Sequence, residues 1–170
     1  KNAALNFGAK RAWYGVNGAT GLLQAALLSI AEPGQAVLMP RNVHKSLINV
    51  CGFNDITPIL FDLPFCRKSG HSLPPDLVHL QKVINQIEKL KINIAAAILV
   101  SPTYQGYSTS LKPLIKKLQD KGWPVLVDEA HGSHLISQID DDLPDSALYS
   151  GADLIVHSLH KSAAGLMQTA

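Results

Sequence analysis

Val125-Leu126-Val127-Asp128-Glu129-Ala130-His131-Gly132 joins a short apolar run to two adjacent carboxylates and a glycine. The apolar run has the length of a strand that is buried on both faces, and polar residues follow it at once. Four further apolar runs have a similar length and are separated by helical stretches: Ala36-Val37-Leu38-Met39, Ile56 to Phe61, Ala95 to Val100, and Leu154-Ile155-Val156. This alternation predicts an α/β fold with a mostly parallel sheet flanked by helices.

Four helices are predicted between the apolar runs. Their expected bounds are Thr20 to Ala31, about His44 to Cys51, Asp76 to Leu90, and Leu111 to Lys121. The third has one apolar face, formed by Leu77, Leu80, Ile84, Ile87 and Leu90. Pro33-Gly34 and Gly122 are typical of the ends of the first and fourth helices. Pro64 to Pro75 is rich in turn residues and predicts a surface connection.

Composition limits the classes of protein that the chain can represent. Of the 170 residues, 46% are hydrophobic and 16% are charged, which favours one globular domain over residues 1–170. The net charge of +2 comes from scattered basic residues and argues against nucleic-acid binding. No apolar run reaches the roughly 18 residues that span a bilayer, so we expect a cytoplasmic protein without membrane contact.

Two features concern the extent of the chain and its redox chemistry. Cys51 and Cys66 have no disulfide or metal-ligand spacing and are expected to be reduced. The chain begins with Lys1 and ends at Ala170, and we expect it to be a fragment of a longer protein.

Asn17-Gly18-Ala19-Thr20-Gly21 lies directly before a predicted helix. Backbone N–H groups and the Thr20 hydroxyl at such a position favour a phosphate, with the helix dipole behind them. The alternative is an ordinary helix start in which Thr20 is the N-cap.

Two loops after predicted strands contain residues able to line a pocket. His44 lies at or near the start of the second helix, where an imidazole can stack on a flat ring, or serve only as a surface cap. Ser101-Pro102-Thr103-Tyr104-Gln105-Gly106-Tyr107 follows another strand and is interpreted as pocket wall, with no chemical step assigned to it.

The strongest chemical pattern combines Asp128 with Lys161. A carboxylate that ends a buried strand requires a cation or hydrogen-bond donors, and a pyridinium N–H would serve. Lys161 follows the last strand and is flanked by Ser158 and His160, which can bind phosphate. A lysine amine can form an imine with pyridoxal phosphate. The alternatives for Asp128 are a helix N-cap or a metal site with His131 and His134, although we expect no metal.

These motifs together resemble the major, cofactor-binding domain of the Orn/Lys/Arg decarboxylases, pyridoxal-phosphate enzymes of the aspartate-aminotransferase fold (fold type I). The resemblance runs from Val16 to Gln168. Its most specific parts are Arg41-Asn42-Val43-His44-Lys45-Ser46, Pro102-Thr103-Tyr104-Gln105-Gly106, Asp128-Glu129-Ala130-His131-Gly132 and Ser158-Leu159-His160-Lys161. It implies a three-layer α/β/α domain, incomplete in residues 1–170, whose C-terminal domain is absent.

The resemblance also implies roles for individual residues. Lys161 would form the internal aldimine with pyridoxal 5'-phosphate, Asp128 would pair with the pyridine nitrogen, and His44 would stack on the ring. His131 would lie near the phenolic oxygen of the ring or near the substrate carboxylate. The residues expected to surround the phosphate are Gly18, Ala19, Thr20, Ser158 and His160.

The activity implied is decarboxylation of a basic amino acid, namely arginine, lysine or ornithine, to its amine, as in polyamine biosynthesis. The expected partners are that small-molecule substrate and further copies of the chain, in a homodimer or higher homo-oligomer. An aminotransferase or an acyl-CoA-dependent synthase of the same fold is an alternative, and so is an inactive truncated remnant.

Overall fold

The computed structural model describes residues 2–137 and 142–170, and its centre is a parallel sheet. The strands in these residues are β1 (Ala36–Pro40), β2 (Thr57–Phe61), β3 (Phe65–Cys66), β4 (His71–Ser72), β5 (Ile94–Val100), β6 (Val125–Asp128) and β7 (Leu154–Val156). Five of them form the main sheet in the order β2-β1-β5-β6-β7, and all neighbouring pairs are parallel. The main sheet therefore has the parallel arrangement that the apolar runs predict.

Helices cover both faces of this sheet. The described residues contain the helices α1 (Asn2–Phe7), α2 (Gly18–Leu28), α3 (Lys45–Phe53), α4 (Leu77–Lys89), α5 (Leu111–Gln119) and α6 (Leu159–Ser162), and a 3-10 helix at Ser133–Ser137. Apolar residues of α2 and α3 pack with Leu126 on one face, which we call the front face. Residues of α4 and α5 pack with Val125 and Val127 on the other, the back face. Because side chains alternate along a strand, β6 contributes to both cores, as a central layer must.

The two back-face helices follow from their sequences. In α4 the side chain of Asp76 caps the first turn by accepting a hydrogen bond from the His79 N–H, at 2.7 Å. The buried residues of both helices recur at intervals of three and four: Leu80, Val83, Ile84, Ile87, Leu111, Leu114, Ile115 and Leu118. Each helix thus has one apolar face, and that face lies against the sheet.

The register of the strands brings the candidate loops to one edge. Asp128 at the end of β6 is paired with Val100 of β5 on one side and with Val156 of β7 on the other. The segments that follow these three strands therefore leave the sheet at the same level, at its carboxyl edge, which is where ligands bind in open parallel sheets.

Several predicted bounds differ from those observed. The first helix begins at Gly18 and ends at Leu28, earlier at both ends than expected. Residues 64–75 contain the short antiparallel hairpin of β3 and β4 within the predicted surface connection. Helix α1 was not predicted. No helix in the described part of the chain is long and apolar enough to cross a membrane.

The central position of Leu126 gives a test of this core. Leu126 is 0% exposed, so Leu126→Ala should lower the free energy of unfolding by about 2–5 kcal/mol through lost burial and a cavity. Val78→Ala on α4 is the control, because Val78 is 66% exposed and its truncation should change that free energy by less than about 0.5 kcal/mol. Urea unfolding measures both, and equal effects would contradict the assigned core.

Candidate active site

Asp128 is a buried carboxylate at the carboxyl edge of the sheet. It lies two residues after Leu126 and so points to the front face, where it is 6% exposed. Its Oδ1 accepts a hydrogen bond from the Ala130 N–H at 3.1 Å. Burial raises the pKa of Asp128, while that hydrogen bond and the charges of His44, Lys161 and His131 act in the opposite direction. A cationic donor placed beside Asp128 would therefore bind this carboxylate without competition from water.

Lys161 and His131 contact each other, and the charges of both act on this carboxylate. Lys161 is an exposed residue of α6, and its Nζ lies 3.2 Å from the Nε2 of His131. Burial lowers the pKa of the His131 imidazole, the Lys161 charge lowers it further, and Asp128 opposes both. The lowered pKa favours the neutral imidazole, in which Nε2 can accept a hydrogen bond from the Lys161 amine.

The loop after β5 contributes an aromatic wall. The ring of Tyr104 meets the ring of His131 edge-on, with 5.5 Å between their centroids. Tyr104 is 83% exposed, so most of this side chain faces solvent. The structure thereby brings this loop to the candidate site, as expected for pocket wall.

His44 is the N-cap of α3, and its position also places it near Asp128. Its Nδ1 accepts a hydrogen bond from the Ser46 N–H at 3.3 Å and lies 2.8 Å from the Ser46 hydroxyl. His44 is exposed, and its charge acts on Asp128. The cap role considered as an alternative is therefore present, and it coexists with a place at the rim of the site.

The start of α2 lies beside the last residues of the chain. Gly18 has a φ of 68° and donates its N–H to the Gln168 carbonyl at 2.8 Å. Gly18 and Ala19 are buried, whereas Thr20 is exposed and is the third residue of the helix, not its cap. The N-cap is Asn17, which makes no side-chain capping bond. The N–H groups of Ala19 and Thr20 remain among those that a helix start leaves without intrahelical partners.

Ser158 and His160 are adjacent to that helix start. Ser158 is fully buried, and its Oγ lies 3.3 Å from the Nδ1 of His160. His160 is exposed, and its Nδ1 also lies 3.3 Å from the carbonyl oxygen of Thr169. The segment that contains Thr169 also contacts Gly18, so hydroxyl, imidazole and helix N-terminus form one polar region.

Glu129 is the direct neighbour of Asp128, and the sequence analysis gave it no role. It is 0% exposed, and its carboxylate contacts His157 Nε2 and Ser146 Oγ, each at 2.6 Å, and the Ala147 N–H at 2.7 Å. A second carboxylate directly after Asp128 in a buried strand was the available signal, since such a group requires donors. The donors come from residues 146–147, which no motif marked.

The donor chemistry fits pyridoxal phosphate and does not form a metal site. Across residues 2–137 and 142–170, no group of three or more His, Cys, Asp or Glu side chains could hold a metal ion. An amine nucleophile, a buried carboxylate short of donors, and a helix start beside a buried hydroxyl are the groups that an aldehyde, a pyridine nitrogen and a phosphate require.

Comparison with known proteins decides the family. Residues 1–170 match the family described as "Orn/Lys/Arg decarboxylase, major domain". The chain belongs to the Orn/Lys/Arg decarboxylase family. It is 32% identical over 167 residues to the arginine decarboxylases of Bacillus cereus and Bacillus subtilis, which covers 98% of this chain and 35% and 33% of those proteins. The chain thus spans about a third of the length of these curated relatives.

Solved structures agree on the fold of this decarboxylase-family domain. The constitutive lysine decarboxylase of Escherichia coli superimposes with a TM-score of 0.82 at 20% identity, covering 98% of this chain and 24% of that one. The pyridoxal-5'-phosphate dependent protein YhfS of Escherichia coli gives a TM-score of 0.71 at 20% identity, over 98% of this chain and 40% of that one. The predicted fold type I architecture is therefore confirmed.

The contact between His131 and Lys161 predicts how His131 titrates. In the cofactor-free protein, the midpoint of His131 measured by NMR should lie below the ordinary histidine value. Lys161→Met should raise that midpoint because it removes a neighbouring positive charge, and Asp128→Asn should lower it because it removes the opposing negative charge. The control is Lys116→Met, since Lys116 pairs with Asp120 on the surface. Shifts of the same sign for the two site variants would contradict this geometry.

Proposed function

We propose that this domain is the catalytic part of a decarboxylase that converts arginine, lysine or ornithine to its amine with pyridoxal 5'-phosphate bound at Lys161. The observation that carries the proposal is the amine of Lys161 in contact with His131, with the buried Asp128 close enough for the charges of both to act on it. Membership in the Orn/Lys/Arg decarboxylase family supports the substrate class. It also supports a homodimer or higher homo-oligomer as the functional form.

The cofactor would be held by groups already described. When bound, pyridoxal phosphate supplies an electron sink for the carbanion that loss of CO2 leaves at the substrate Cα. Asp128 would hold a proton at the pyridine nitrogen, and this cation would satisfy the buried carboxylate. His44 would lie against the ring. The groups assigned to the phosphate are the hydroxyl of Ser158, the imidazole of His160 and the N–H groups of Ala19 and Thr20, with Gly18 fixing the helix start.

His131 would orient the reactive amine of Lys161. The nucleophile is the neutral amine, so the lysine ammonium must lose a proton before it can react. The Nε2 of His131 lies within hydrogen-bond range of the Lys161 Nζ, so the neutral imidazole can accept a hydrogen bond from this group and orient it. Tyr104 would shield the same side of the site from water while its outer face stays accessible to substrate.

Replacement of Lys161 tests the cofactor site. The wild-type protein incubated with pyridoxal phosphate and reduced with borohydride should carry a stable pyridoxyl adduct on the peptide that contains Lys161. Lys161→Ala should lose the adduct and the visible absorbance band, because it removes the amine that lies beside His131. Lys116→Ala is the matched control, as this lysine is an exposed surface residue that pairs with Asp120. An undiminished adduct in Lys161→Ala, read by peptide mass spectrometry, would refute the assignment.

Replacement of Asp128 tests the reaction. Asp128→Asn should retain the adduct but lower the rate of CO2 release by about 10²–10³, since loss of one group aimed at developing charge costs that much. The rate is measured with arginine, lysine and ornithine, in the protein at its natural length. Asp120→Asn, which changes a surface carboxylate, should leave the rate unchanged. Turnover that depends on a keto-acid acceptor or a thioester would instead indicate an aminotransferase or a synthase.

A further inference from the structure

Glu129 and His157 form a buried pair behind the candidate site. The carboxylate of Glu129 is 0% exposed, and the side chain of His157 is 16% exposed. Their contact of 2.6 Å is reinforced by the Ser146 hydroxyl on one carboxylate oxygen and by the Ala147 N–H on the other. Loss of any one of these three donors would leave a buried carboxylate poorly compensated, so all three contacts are held in place. We call Glu129, His157 and their contacts the junction.

The junction joins the ends of two strands at the back face. Glu129 follows Asp128 and His157 precedes Ser158, so each junction residue is the direct neighbour of a site residue. Glu129 also donates its backbone N–H to the Val156 carbonyl at 3.0 Å. Ala147, which it contacts, belongs to the back-face core. Because side chains alternate along a strand, Asp128 and Ser158 point to the front face, while Glu129 and His157 point to the back face and meet in the junction.

We propose that Glu129 and His157 are positioning residues, which hold the strand end that bears Asp128 at a fixed distance from the segment that bears Ser158 and Lys161. For catalysis this rests on the proposed function, since the two ends would hold opposite sides of one cofactor. Neither Glu129 nor His157 touches that ligand. Their effect is transmitted through one peptide unit on each strand, and displacements of about 1 Å at such distances cost about a hundredfold in rate.

Asp153 provides a matched control at the opposite end of the same two strands. It precedes β7, and its Oδ2 accepts hydrogen bonds from the Val125 N–H at 2.8 Å and from the Gln119 side chain at 2.9 Å. Like Glu129, it is a carboxylate that ties β6 to β7, but it does so at the amino edge, away from Lys161. Its loss should weaken the fold without moving the candidate site.

The test compares four variants in the protein at its natural length. His157→Leu removes the donor, and His157→Gln keeps an N–H donor at a similar reach. Ser146→Ala removes a second donor with little change of volume, and Asp153→Ala is the control. The first readout is the NMR midpoint of His131 in the cofactor-free protein, because burial and the charges of Lys161 and Asp128 determine it and all three depend on the geometry of this edge. The others are the melting temperature and the kcat and KM for CO2 release.

His157→Leu should raise the His131 midpoint towards the ordinary histidine value and lower kcat by about tenfold to a hundredfold, with KM within about twofold of wild type. Ser146→Ala should act in the same direction with a smaller effect. If His157→Leu does not fold, Ser146→Ala alone tests the positioning role. His157→Gln should restore both quantities. Asp153→Ala should lower the melting temperature and leave the His131 midpoint unchanged.

Two different failures can be told apart. If His157→Leu and Ser146→Ala lower only the melting temperature, with a wild-type His131 midpoint and kcat, the positioning role is wrong and the proposed function stands. If the wild-type protein forms no pyridoxyl adduct on Lys161, the proposed function is wrong. The His131 midpoint of the cofactor-free variants then still decides whether the pair positions this edge of the sheet.

Discussion

Two adjacent carboxylates buried at the end of one strand are the constraint on which this structure depends. A buried carboxylate is tolerated only where donors or cations surround it. Glu129 has three hydrogen-bond partners, whereas Asp128 has one amide and the more distant charges of the site. Glu129 therefore stabilises the sheet edge, while Asp128 remains able to bind a cationic group of a ligand.

The sequence predicted the scaffold well because its signals are local. Strand-length apolar runs specified the five strands of the main sheet, and Asp76 and Gly122 marked helix ends close to the observed ones. The start of α2 was placed two residues late because Thr20 resembles an N-cap, whereas Gly18, with its positive φ, is where the helix begins. That helix start lies against residues near the end of the chain, and such contacts leave no periodic signal.

The candidate site was predictable only in part, for a similar reason. His44, Asp128, His131 and Lys161 follow strands, so parallel topology alone brings them to one edge. The contact of Lys161 with His131 depends on how α6 and the turn after β6 are oriented, which no spacing encodes. Two of the three partners of Glu129 lie 17 and 18 residues further along the chain, in an irregular segment, and the third, His157, lies 28 residues further along. These partners could be found only from the folded structure.

The order of the two carboxylates is itself constrained by the sheet. Because side chains alternate, a slip of β6 by one residue would turn Asp128 to the back face and Glu129 to the front. After such a slip, neither side chain would have the length that its new surroundings require. Glu129 needs its extra methylene to reach the donors at residues 146–147 and His157, while the shorter Asp128 stays close to its strand. The pairing of Asp128 with both Val100 and Val156 fixes this register, so the strand pairing that builds the core also decides which carboxylate faces the site.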